Sequence, residues 1–76
     1  MTRDEARRTL KPGDAVRVVR KVDPCRESWM SSMGRFVGQR LLVDRPVGPN
    51  GGVHLDCGWW FPPEALEPAL YGNEED

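Results

Sequence analysis

The chain has 76 residues, of which 38% are apolar and 30% charged, with a formal net charge of −1. That length allows one compact domain and excludes a second, and a chain this short buries only about 60% of its unfolded surface. Eleven Lys and Arg against twelve Asp and Glu exclude the strongly basic field of a dedicated nucleic-acid binder.

Leu, Val and Phe total 16 of 76, or 21%, just above the level of about 20% below which disorder is the default. The longest apolar runs, Leu41-Leu42-Val43 and Trp59-Trp60-Phe61, fall far short of the roughly 20 residues that span a bilayer. Residues 1–8 carry charge with no apolar block behind them, so a secretory signal is not expected. A soluble, cytoplasmic protein follows, with Cys25 and Cys57 as reduced thiols, because small secreted scaffolds carry more cysteines.

In chain order, residues 1–10 are polar and helix-permissive and read as a short arm or a helical turn. Lys11-Pro12-Gly13-Asp14 is a turn. It launches a first strand over residues 15–22, with Val16, Val18 and Val22 on one face by the period of two. Arg20 falls on that apolar face, which calls for a bulge or a strand end at the rim.

Asp23-Pro24 has the form of a helix start, an N-cap carboxylate followed by Pro. Trp29, Met33 and Phe36 then make an apolar stripe at i, i+4 and i+7. Ser31, Ser32 and Gly34 weaken helical propensity, so one or two irregular turns are expected around residues 24–36.

Residues 39–45 read as a second strand with Leu41 and Val43 inward, and Asn50-Gly51 within residues 46–52 marks a hairpin. In the third strand, residues 53–57, Val53, Leu55 and Cys57 alternate with His54 and Asp56, which predicts a buried Cys57 and a wet His54. Gly58 turns the chain into a fourth strand, Trp59-Trp60-Phe61, which Pro62-Pro63 stops. Leu66 plugs the open end from a single helical turn. Residues 71–76 read as an acidic, flexible tail.

Four to five short strands between Gly and Pro turns point to an all-β protein, a small antiparallel barrel over residues 11–70. Three segments carry a resemblance: Lys11-Pro12-Gly13-Asp14-Ala15-Val16-Arg17-Val18; Trp29, Met33 and Phe36-Val37-Gly38; and Trp59-Trp60-Phe61-Pro62-Pro63-Glu64-Ala65-Leu66-Glu67. In order and spacing they resemble SH3-like barrels of the mind bomb repeat type and the small stand-alone barrels of bacteria and their phages. The resemblance implies an SH3-like fold and a binding function without catalysis, although a fold does not fix the partner.

Chemistry-bearing residues are sparse. His54, Asp56, Cys57 and Cys25 are zinc-ligand types, but on a strand His54 and Asp56 point one way and Cys57 the other. No metal site, cofactor or catalytic residue is expected, and Cys25 reads as the more exposed thiol. The Gly-rich residues 48–52 lack the Lys-Ser/Thr and following helix of a phosphate loop.

The aromatic residues are the stronger lead. Trp59 and Trp60 face opposite sides of one strand, so one lies outside the core, and Phe61 sides with Trp59. Together with Trp29, Met33 and Phe36 they would line a groove for an extended or Pro-rich segment of a protein partner. The competing arrangement folds residues 28–37 over the exposed ring as a lid. The second lead is charge, because residues 15–45 hold seven basic residues (Arg17, Arg20, Lys21, Arg26, Arg35, Arg40, Arg45) against three acids, a balance of +4. Arg17, Arg20, Lys21, Arg35 and Arg40 would then bind single-stranded nucleic acid. The leading expectation is an accessory or inhibitor protein that binds a protein partner, followed by nucleic-acid binding and then by a structural subunit of an assembly.

Overall fold

A computed structural model describes residues 1–69. The expected acidic tail at 71–76 lies outside the described residues. Residues 1–10 form a helix, α1 (Arg3–Thr9), whose N-cap Thr2 accepts the Glu5 N–H at 3.0 Å. Its acids sit in the first turn and its bases in the last, as the helix dipole favours. Ala6 is fully buried and Leu10, one turn on, packs against the core, so a helix with few apolar residues still docks by one edge.

β1 (Ala15–Val18) is the central strand of a three-stranded antiparallel sheet, flanked by β2 (Arg40–Leu42) and β5 (Leu66–Pro68). The register sets Val16 opposite Leu41 and Val18 opposite Leu66, which aligns apolar side chains on the inner face. β3 (Val53–His54) pairs with β4 (Trp60–Phe61) as a second antiparallel sheet. An isolated bridge between Val43 and Leu55 and a hydrogen bond from the Asp56 N–H to the Leu42 carbonyl at 2.9 Å join the two sheets. The neighbour order is therefore β5-β1-β2-β3-β4, a mostly β architecture of small antiparallel sheets with little helix.

The alternation expected for β1 holds at Val16 and Val18, both fully buried, but the strand ends at Val18 and does not run to residue 22. The reason lies in the partners: β2 starts only at Arg40, and Gly38, at φ +92°, turns the chain away. The Val19 N–H then leaves for the Ala65 carbonyl at 2.8 Å. Arg20 is exposed, and its guanidinium donates to the Glu64 carbonyl.

The helical segment is also shifted. Asp23-Pro24 is a cis peptide outside any helix, and Asp23 caps no N–H among the described residues. A 3₁₀ segment runs instead over Ser31–Phe36, where Ser31, Ser32 and Gly34 favour tight turns over a longer helix. The stripe carried by this region faces inward. Trp29 meets Phe61 edge-to-face at 5.7 Å, and Phe36 meets the same ring at 6.4 Å.

Two hairpin turns share one construction. Gly51 donates to the Gly48 carbonyl at 2.9 Å while Gly48 donates to the Gly52 carbonyl at 3.0 Å. Gly58 likewise donates to Leu55 at 2.9 Å while Leu55 donates to Trp59 at 3.1 Å. Each is a three-residue loop closed by a glycine at positive φ, +89° for Gly51 and +98° for Gly58. Pro63–Ala65 form a second 3₁₀ turn, and Leu66 behind it is fully buried. Among the described residues no helix is long and apolar enough to cross a membrane.

Candidate functional site

β4 divides its two side chains as a strand must: Phe61 has no accessible surface, and Trp60 is 39% exposed. Trp59, half-buried, packs against the core from the other side of Trp60. Across the pair, Trp60 stands edge-to-face with His54 at 5.0 Å.

His54 corrects the expectation of a wet imidazole. It is 7% exposed, and its Nδ1 lies 2.6 Å from Oδ1 of Asp44. An ionised carboxylate only accepts, so Nδ1 carries the proton and donates it. Trp60 covers the face that alternation assigns to solvent, and Asp44 gives the ring a polar partner. Cys57 is corrected in the opposite sense. Regular alternation stops at Leu55, and Cys57 lies half-buried in the turn that follows. Burial pushes its thiol above the ordinary value. Cys25 is half-buried as well.

The aromatic groove expected from the sequence is filled from within. Met33 and Phe61 are fully buried and Trp29 is 9% exposed, because so small a core uses every large ring it can reach. Phe36 and Trp59 are half-buried, which leaves Trp60 as the exposed aromatic among the described residues. A shallow cavity of about 340 Å³ opens beside it, lined by Arg26, Glu27, Gly48, Pro49, Asn50, Gly52 and Trp60. Its floor needs glycine: a Cβ on Gly52 would lie 2.8 Å from the Glu27 carboxylate.

Behind the cavity is an ion-pair network that sequence reasoning missed. Arg3 donates to both Glu27 oxygens, at 2.8 and 3.0 Å, and to the Asn50 carbonyl at 3.1 Å. Its Nε also lies 3.2 Å from Glu64. The Glu27 side chain is only 6% exposed. Burial alone would raise the Glu27 carboxyl, but the hydrogen bonds from Arg3 and from its own backbone N–H, with the charges of Arg3 and Arg26, outweigh it and hold the group below its ordinary value. Nothing local in the sequence pairs Arg3 with Glu27. The cue was a charged residue on each side of the turn at residues 48–52, visible only once that turn is placed.

The basic residues divide. Arg17 and Arg40 face each other across β1 and β2, and Arg17 donates to the Gly38 carbonyl at 3.2 Å. Arg20, Lys21 and Arg35 are exposed on the segments outside that ladder. Among the described residues no three of His, Cys, Asp and Glu gather to hold a metal ion. Compared with known protein families, curated proteins and solved structures, the chain matches none.

Proposed function

We propose that this protein is a non-enzymatic binding module that recognises a protein partner through the surface around Trp60. One observation carries the reading: an indole stays exposed at the edge of a cavity, while the other large rings among the described residues are buried wholly or in part. Burying an aromatic of this size on a partner is a common anchor of protein interfaces, because it combines a large apolar face with an N–H donor. The strand order β5-β1-β2-β3-β4, with a 3₁₀ turn between β4 and β5, supports an SH3-like arrangement of the kind the sequence resembles. An accessory or inhibitor protein that occupies a partner's surface fits this size. The test is affinity capture from the native source with the parent and with Trp60→Ala, after both are found to melt cooperatively. A partner retained by the parent and lost by the variant supports the reading, and equal retention overturns it.

A second reading is single-stranded nucleic-acid binding through the Arg-rich face, favoured by the register that sets Arg17 opposite Arg40. Affinity for oligothymidine that falls log-linearly with salt, by about 0.7 per phosphate engaged, would support it. Absence of binding at low salt would exclude it.

A further inference from the structure

The neighbour order β5-β1-β2-β3-β4 has two ends, and they are finished differently. A strand at such an end turns backbone N–H and C=O groups outward, which folded proteins ordinarily block. On β5 the Val19 N–H reaches the Ala65 carbonyl at 2.8 Å and the Ala69 N–H reaches the Ala15 carbonyl at 3.0 Å, so by alternation Leu66 and Pro68 turn outward. The Leu66 N–H donates to the Pro63 carbonyl, the Leu66 carbonyl takes the Met1 amine at 3.2 Å, and Pro68 has no N–H. β5 keeps no open donor on that edge.

On β4 one residue stays open. The Leu55 N–H donates to the Trp59 carbonyl at 3.1 Å, so Leu55 and Trp59 are a hydrogen-bonded pair. In an antiparallel ladder such pairs alternate with pairs that exchange no hydrogen bonds, and His54 with Trp60 is next in the register. His54 turns its carbonyl the other way, to the Asp44 N–H at 3.2 Å. The backbone N–H and C=O of Trp60 therefore point away from β3, and neither has a partner among the described residues. Open donors are lacking on either side of it: the Gly58 N–H donates to the Leu55 carbonyl at 2.9 Å, and Pro62 has no N–H while its carbonyl takes the Ala65 N–H at 3.0 Å. Backbone groups without partners belong at the surface, and this pair sits on the residue whose indole is 39% exposed.

We propose that β4 pairs with β4 of a second copy of this chain, antiparallel about a two-fold axis beside Trp60. The proposal rests on the reading of Trp60 as the partner-facing residue and names one partner, the chain itself; any other partner at Trp60 then competes with it. Each Trp60 N–H donates to the Trp60 carbonyl of the other copy, and two two-stranded sheets become one of four strands. A donor and an acceptor on one residue are self-complementary under a two-fold axis, which closes the contact at two copies. Residues 57–63 carry no charge, so the axis sets no like charges opposite each other, and the Lys or Asp that commonly guards an edge is missing. Side chains directly opposite on one face lie close, so the two exposed indoles cover each other. A disordered peptide would have to be ordered for a ladder of two hydrogen bonds, whereas β4 is already extended.

Sedimentation equilibrium of the full chain, at concentrations of about 10 μM to 1 mM where a small interface dissociates, should show a monomer passing to a dimer and nothing larger. In Trp60→Ala, once it is found to melt cooperatively, the dimer should be at least about tenfold weaker, as loss of a buried aromatic anchor requires. The parent alone gives a second measurement that needs no variant. Its Trp60 backbone N–H should exchange with deuterium at least about tenfold more slowly at the high concentration than at the low one, and isotope-filtered spectra of mixed labelled and unlabelled chains should join Trp60 to Trp60. A monomer throughout, a dimer as tight in Trp60→Ala as in the parent, a Trp60 amide that exchanges alike at both concentrations, or contacts from Trp60 to another part of the second copy overturns the proposal. The two readings fail separately. A native partner lost on Trp60→Ala, with the parent monomeric throughout, leaves the partner surface standing and removes the second copy. A dimer with a protected Trp60 amide, with native partner retention unaffected by Trp60→Ala, leaves the paired strands and removes recognition of a separate protein.

Discussion

Gly51 and Gly58 occupy the same position in two hairpin loops of the same construction, at φ +89° and +98°, and comparing their replacements by Ala isolates the docking of α1. An L side chain in this left-handed region costs about 1–2 kcal/mol, and Gly58→Ala should lose no more, because a Cβ there meets nothing within 4 Å. At Gly51 the added Cβ would lie 2.6 Å from Cβ of Arg3 and 2.9 Å from its Cα. Helix backbone must then move. A forced shift of this kind adds about 1–3 kcal/mol, and it drags Arg3 away from Glu27 and the Asn50 carbonyl. Gly51→Ala should therefore lose about 2–5 kcal/mol, a large share of the roughly 4–11 kcal/mol that a chain of this length has in total. Urea unfolding followed by tryptophan fluorescence measures both variants. Each kcal/mol corresponds to a melting shift of about 4–8 °C in a domain of this size. Equal losses at the two positions would refute the reasoning, since they would mean that α1 yields to the new methyl at no cost.

Phe61→Ala removes a fully buried ring that Trp29 and Phe36 meet edge-on; it should cost about 3–5 kcal/mol and leave little cooperative unfolding in calorimetry. Because the Glu27 carboxyl is held below its unfolded value, its stabilising effect is whole above that value and is lost as pH falls through the folded one. Urea midpoints of the parent should thus drop from pH 4.5, the ordinary Glu value, downward. Glu27→Gln should start lower and flatten over that window, while Asp4, held down by its hydrogen bond from Arg7, keeps a residual slope in both proteins. His54→Ala opens the space between Asp44 and Trp60 and should cost about 1–3 kcal/mol in urea unfolding; a variant as stable as the parent would return His54 to the surface.

Several features of this chain depend on geometry that a few adjacent residues determine, and these were legible from the sequence. The opposition of Trp60 and Phe61 and the inward pair Val16 and Val18 follow from the two-residue period of a strand. The loops closed by Gly51 and Gly58 follow from the freedom of glycine at positive φ. The end of β1 at Val18 was not local, because a strand lasts only as long as its neighbours, and those are set by where β2 begins and where Ala65 arrives. The placement of the 3₁₀ turn at Ser31–Phe36, later than Asp23-Pro24 suggests, likewise goes with the tertiary position of Glu27, which lies beside Arg3. The cavity beside Trp60 was the least legible feature of all. Arg3 and Glu27 lie 24 positions apart and His54 and Asp44 lie 10 apart, and no periodicity links either pair. Charge partners at such separations are chosen when hairpins and helix pack together, since only packing excludes the water that would otherwise solvate each group alone.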